Sequence, residues 1–256
     1  MELHAKVLGQ GPALVILHGL FGSLDNWQTL GRRFAESRTV YLVDQRNHGK
    51  SPHDPRHDYP AMADDLAAFF DHQGIRSAAV LGHSMGGKTA MRFALDHADR
   101  VDALIVADMA PKAYPPGHDL ILAALRALDP AEIEDRAQAE AALAETITDS
   151  GIRLFLLKNL ARDPEGGYRW KMNLPALVEH YGRILEAVDG EHPYEGPALF
   201  LRGGRSGYVE EGDAPAIRAL FPAARIEAVE GAGHWLHAER PDAFHDAVTG
   251  FLDGLG

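Results

Sequence analysis

Not one of the 256 residues is cysteine. That single absence excludes disulfides, thiolate nucleophiles and cysteine-ligated metals together. Positive charge is also scarce: 25 Lys and Arg face 37 Asp and Glu, a net charge of -12. Nucleic acid and anionic membranes both select basic patches, so neither is expected as a partner. No apolar run approaches the ~18 residues of a membrane span. The opening Met1 to Gln10 also lacks the roughly 7–15-residue apolar core of a secretory signal. The expectation is a cytoplasmic protein that meets a small molecule and makes no membrane contact. Histidine is plentiful, with 14 copies, yet no H-E-x-x-H spacing occurs, so neither a metal nor another cofactor is expected.

With 46% hydrophobic residues, the chain can bury the core of one large domain. Short runs rich in Val, Leu and Ile alternate with amphipathic stretches, the pattern of an α/β protein whose mostly parallel sheet has helices on both faces. Strands are expected at 13–17, 39–43, 78–81, 103–107, 198–201 and 225–229, with a weaker one at 2–7. Helices are expected at 24–36, 59–72, 85–97, 213–220 and 241–252. From 110 to 196 the alternation stops. Four helical patterns (119–128, 131–148, 152–160 and 174–188) follow one another with no convincing strand. The chain therefore reads as a core of residues 1–109 and 197–256, with a helical cap of residues 110–196 inserted after the strand that ends at Asp108. Such an insertion is most simply a lid over the C-terminal edge of the sheet, where open α/β sheets bind ligands.

Two motifs overlap at the centre of this plan. Gly82-His83-Ser84-Met85-Gly86 is the G-x-S-x-G of a nucleophile elbow, in which small residues let a strained strand-to-helix turn expose a serine. Gly82 to Thr89 also reads G-x-x-x-x-G-K-T, the phosphate cradle of a P-loop, with Lys88 on phosphate and Thr89 on Mg²⁺. The P-loop reading leaves His18-Gly19 and Gly233-His234-Trp235 without a task. The elbow reading employs both: Leu20, after the first main strand, and Met85, after the serine, can offer N–H groups to an oxyanion. His234, after the last strand, can reach back as a base, with serine first and histidine last in chain order. His83 and His237 are read as structural or rim residues.

Four stretches carry a family resemblance: His18-Gly19-Leu20-Phe21-Gly22-Ser23, Arg46-Asn47-His48-Gly49-Lys50-Ser51, the elbow through Lys88, and Arg169-Trp170-Lys171-Met172-Asn173-Leu174. On them the chain resembles the α/β-hydrolase fold family, and within it small bacterial acyl-ester hydrolases related to mitochondrial abhydrolase-domain proteins. The resemblance implies a serine esterase acting through a Ser-His-Asp triad and an acyl-enzyme, on short to medium acyl esters and conceivably acyl-CoA thioesters. Carbon–carbon bond hydrolysis, cofactor-free perhydrolysis and a receptor role for small molecules use the same fold and stay open. The family's usual acid after the strand that follows the cap is missing, because residues 203–209 offer only glycine, serine and other non-acidic groups. Asp108 takes the role in this reading, with Glu210, Glu211 and Asp213 as reserves. Phe21, Trp170 and Leu174 are the expected substrate contacts, and the oligomeric state is not readable.

Overall fold

The computed structural model describes residues 1–255. Nine strands are present among them: β1 (Ala5–Leu8), β2 (Ala13–Leu17), β3 (Thr39–Val43), β4 (Ala78–His83), β5 (Val101–Ala107), β6 (Leu160–Arg162), β7 (Tyr168–Trp170), β8 (Ala198–Gly203) and β9 (Ala224–Val229). Seven form one sheet in the order β1-β3-β2-β4-β5-β8-β9. Edge strand β1 runs antiparallel to β3, and every other pairing in this sheet is parallel. The helices are α1 (Gln28–Phe34), α2 (Tyr59–Gln73), α3 (Met85–Asp96), α4 (Asp119–Ala127), α5 (Arg136–Ala144), α6 (Ser150–Leu157), α7 (Leu174–Glu179), α8 (Tyr181–Leu185), α9 (Ala214–Leu220), α10 (Leu236–Glu239) and α11 (Pro241–Asp253).

The unbroken apolar character of the inner strands follows from burial on both faces. Along β2, Val15 and Leu17 pack on one side with Leu66, Phe69, Phe70 and Phe93 from α2 and α3. Leu14 and Ile16 pack on the other with Leu30, Phe34, Phe244 and Val248 from α1 and α11. This is the period of two of a pleated strand. Each such fully buried Leu, Ile or Phe contributes roughly 1.5–3 kcal/mol. Helix α2 shows how local chemistry sets the boundaries. The Asp58 side chain accepts from the Ala61 N–H, Pro60 sits in the first turn, and Gly74 closes the helix in the left-handed region at φ 66°.

The segment between β5 and β8 departs from expectation in two ways. It contains strands after all: β6 and β7 form an antiparallel pair, Leu160 opposite Trp170 and Arg162 opposite Tyr168. Gly166 (φ 115°) and Gly167 (φ 69°) turn the chain between them. Three-residue strands are too short to show an alternation. Its helices are also shorter than their patterns: 131–148 yields only α5 as α-helix, and 174–188 splits where His180 (φ -100°, ψ 12°) closes α7 and precedes α8.

This segment has its own apolar cluster, including Leu125, Leu143, Leu156 and Leu177, and the cluster takes in Phe21 from the loop after β2. Hydrogen bonds tie the segment to the rest of the chain at several places, Tyr114 Oη to the Tyr208 carbonyl and Lys112 Nζ to Asp213 among them, and three further joints involve the sequence motifs. Asn159 Nδ2 donates to the Phe21 carbonyl at 2.7 Å. The Asn173 N–H donates to the Asn47 carbonyl at 2.9 Å. Tyr59 Oη donates to the Ile184 carbonyl at 2.7 Å, beside Lys88 Nζ donating to the carbonyls of Leu185 and Glu186. The Arg-Asn-His-Gly and Arg-Trp-Lys-Met-Asn-Leu stretches thus meet through Asn47 and Asn173.

Burial also neutralises a set of histidines. It pushes His18 down to about 4, His48 and His237 to about 3, and His57 to about 2. An unfolded chain titrates these groups near 6.5. Below that pH it binds protons the folded chain refuses, so stability falls as pH falls, by up to about 1.4 kcal/mol per pH unit for each histidine. The melting temperature should therefore drop steadily from pH 7 to pH 4.5, before carboxylates dominate. A flat profile by circular dichroism over that interval would contradict the assignment.

Candidate active site

The site is built at the C-terminal ends of β2, β4, β5, β8 and β9. Ser84 directly follows β4 with φ 54° and ψ -120°, a region in which a non-glycine residue stores strain. Gly86 allows the turn: a Cβ there would lie 2.5 Å from the His18 carbonyl oxygen. The turn is anchored by the Ser84 N–H donating to the Ala107 carbonyl and the Lys88 N–H donating to the Ser84 carbonyl, both at 3.1 Å. This is the elbow geometry that the sequence predicts.

Asp108, one residue beyond β5, also has positive φ, at 50°, and its side chain has no solvent exposure. Three donors converge on it. The Gly203 N–H lies 2.9 Å from Oδ1, while Ser206 Oγ and His234 Nδ1 both meet Oδ2, the latter at 2.8 Å. A carboxylate oxygen accepts, so Nδ1 of His234 carries the proton and Nε2 is left as a base. The ring is held further by stacking on Tyr208, centroids 3.8 Å apart, and by His83 Nε2 donating to the His234 carbonyl at 2.9 Å. The reserves lie elsewhere: Glu210 and Glu211 are exposed, and Asp213 is paired with Lys112 Nζ at 2.7 Å.

Leu20 and Met85 line one cavity together with Ser84, and neither N–H is engaged in a hydrogen bond among the described residues. The loop carrying Leu20 is shaped by the Gly22 N–H donating to the Gly19 carbonyl at 2.9 Å and by Phe21 at φ 60°. Met85 opens α3, where the free N–H groups of a helix N-terminus favour negative charge.

Ser84 lies on the wall common to two cavities. One, of about 280 Å³, also has His18, Phe21, His83, His234 and His237 in its lining. The other, of about 330 Å³, is walled largely by apolar groups such as Met85, Met109 and Ile184. Phe21 is therefore where the sequence reading puts it. Trp170 and Leu174 are not: they line a groove of about 640 Å³ with Leu125 and Pro175 that does not include Ser84. Trp170 ends β7 and Leu174 opens α7, and both pack in the apolar cluster of the inserted segment. Residues that sequence reasoning missed take their place, with Ile121 and Ile152 in one cavity and His118 and Tyr208 in both. Only Ser206 carried a signal, since it occupies the stretch where the usual acid is missing.

His237, read from sequence as structural or rim, is 6% exposed and stacks on Trp27. Lys88, the phosphate ligand of the P-loop reading, is fully buried. Its amine lies 4.8 Å from the Tyr114 ring centroid, and burial pushes it down to about 8. Thr89 Oγ1 donates to the Met85 carbonyl at 3.2 Å. Both P-loop side chains are thus bound to the protein itself, which removes that reading.

Residues 12–241 match the family described as alpha/beta hydrolase fold. Over 249 residues the chain is 42% identical to the sn-1-specific diacylglycerol lipase ABHD11 of Mus musculus, covering 94% of this chain and 81% of the mouse protein. It is also 42% identical over 243 residues to the esterase YbfF of Escherichia coli (strain K12), covering 94% of this chain and 92% of that protein. A solved structure described as a marine microorganism esterase superposes with a TM-score of 0.96 at 42% identity, covering 98% of this chain and 99% of that one.

The Asp108 contacts make a specific prediction. Asp108→Asn should lower kcat for an ester substrate by ~10³–10⁴, with the far-UV circular dichroism spectrum retained. Near-normal turnover in that variant would mean that His234 is oriented by another group.

Proposed function

The chain belongs to the alpha/beta hydrolase fold family and is a carboxylic ester hydrolase, and from that premise we propose that it cleaves short to medium acyl esters by two-step acyl transfer on Ser84. The observation that carries this reading is the His234–Asp108 bond at 2.8 Å beside a strained serine on the wall of two cavities. Residues 110–196 act as a cap that closes those cavities from above the sheet edge.

In the first step His234 Nε2 removes the proton of the Ser84 hydroxyl as Oγ attacks the ester carbonyl. The charge that develops on the carbonyl oxygen is met by the N–H groups of Leu20 and Met85. Losing one such donor typically lowers kcat by ~10²–10³. The imidazolium formed is stabilised by Asp108, and its Nε2–H protonates the departing alkoxide, which leaves as the alcohol. Water then gives a proton to the same nitrogen and attacks the acyl-enzyme. The second tetrahedral species collapses to the carboxylic acid and regenerates Ser84. The names of the mouse and E. coli relatives, a lipase and an esterase, support ester cleavage. The size of the apolar cavity, about 330 Å³, supports an acyl chain of modest length.

Hydrolysis of p-nitrophenyl esters of increasing acyl length, in buffer with EDTA, tests this directly. Wild type should turn over with a maximum at short to medium chains, and Ser84→Ala should lose at least ~10³-fold in kcat. Activity that survives in Ser84→Ala, or that EDTA abolishes, would reject the mechanism.

A further inference from the structure

The two cavities that share Ser84 divide a substrate between them. His234 belongs to the wall of one and not of the other, and an alkoxide protonated by its Nε2–H must leave within hydrogen-bond reach of that ring. The alcohol then departs on the His234 side, and the acyl chain occupies the apolar cavity. Part of the wall of that cavity is Ile184 and Leu185, the last two residues of α8. Ile184 packs with Tyr59, Met62 and Met85. Whatever fixes these two residues fixes the space open to the acyl chain.

Lys88 is the buried side chain that volume does not explain. It stands one turn after the nucleophile on α3, its N–H on the Ser84 carbonyl. Its amine donates to the carbonyls of Leu185 and Glu186 and lies 5.6 Å from the Tyr59 ring centroid and 4.8 Å from that of Tyr114, while the Glu186 carboxylate is taken by Arg183 at 2.9 Å. A methionine would fill the same space without the desolvation cost of an ammonium. The carbonyls it meets do need donors, because the last carbonyls of a helix have no partner within it. Tyr59 Oη serves Ile184 at 2.7 Å, and Lys88 serves the next two. The Leu185 carbonyl also accepts from the Tyr114 N–H at 2.9 Å, and the Pro111 carbonyl from the Val188 N–H at 3.0 Å. The entering and leaving connections of the inserted segment are therefore stitched together where Lys88 grips them.

We propose that Lys88 is a positioning residue that sets the acyl-length limit of the enzyme: by binding the turn at residues 184–186 to the nucleophile helix, it holds Ile184 and Leu185 as a fixed wall that excludes longer chains. This rests on the serine esterase mechanism above. Lys88 touches no substrate, since it lies outside the lining of both cavities. Its place four residues after Ser84 refers the wall to the nucleophile itself, so the depth available beyond the reacting carbonyl is set through one helical turn. Burial lowers the amine only to about 8, which leaves it charged at neutral pH, and a charged donor holds a carbonyl more strongly than a neutral one.

The test reads the ratio of kcat/KM for the decanoyl and butanoyl esters of p-nitrophenol, in which any general loss of folded enzyme cancels. Lys88→Met keeps the length of the side chain and removes its donors. It should raise the ratio over wild type by at least about fivefold, through a lower KM for the decanoyl ester, the mark of altered binding rather than altered chemistry. Tyr59→Phe keeps its ring and removes one bond to the same turn, and should raise the ratio about twofold, a single neutral hydrogen bond being the weaker joint. An unchanged or lower ratio in Lys88→Met overturns the proposal, and so does a rise carried by kcat alone. If Lys88→Met does not fold, Tyr59→Phe decides, and an unchanged ratio there overturns it. Loss of the mechanism itself would look different: neither ester would be cleaved in a Ser84-dependent way.

Discussion

A carboxylate withdrawn from solvent must be supplied with donors, and Asp108 is the point at which this requirement organises the structure. Its partners come from separate segments: Gly203 at the end of β8, Ser206 beyond it, and His234 after β9. Each partner therefore fixes a loop at the same edge of the sheet. The histidine is seated because the acid is saturated, and the acid is saturated because three strands deliver their ends to one place. The strained φ of Asp108 is sustained by the same convergence.

The surrounding electrostatics suit that arrangement. Burial is the leading cause that holds His18, His83 and His237 below the ordinary histidine range. They line the cavity as neutral dipoles and bring no competing charge near the free N–H groups of Leu20 and Met85. In the proposed mechanism those two dipoles meet the developing oxyanion with no cationic charge on these three histidines beside them. The buried Lys88 amine is spent on the carbonyls of Leu185 and Glu186, away from Ser84.

How much of this could be read in advance depended on range. Ser84, Leu20 and His234 were legible because their glycine-flanked turns are local signals, and the main strands were legible because two-sided burial writes continuous apolar runs. Asp108 emerged only by elimination, from the lack of an acid at 203–209. Tyr208 and His118 were invisible, since their places on the cavity walls arise from contacts between segments distant in sequence. Trp170 and Leu174 were misplaced for a related reason: apolar character says that a residue packs somewhere, not which of two neighbouring cavities or cores it enters. The strand pair β6 and β7 was lost because three residues cannot display a period.

Three of the ties between the inserted segment and the sheet domain have a common grammar. Asn159 donates to the Phe21 carbonyl, Tyr59 and Lys88 to the carbonyls of residues 184–186, and the Asn173 N–H to the Asn47 carbonyl. In these three the acceptor is main chain, a group that all twenty amino acids possess, whereas elsewhere the segment is held through side-chain acceptors, as where Lys112 Nζ meets Asp213. Where the acceptor belongs to the inserted segment, as at residues 184–186, side-chain replacement leaves the joint standing. At such joints the inserted segment can exchange side chains without losing its seat on the sheet domain.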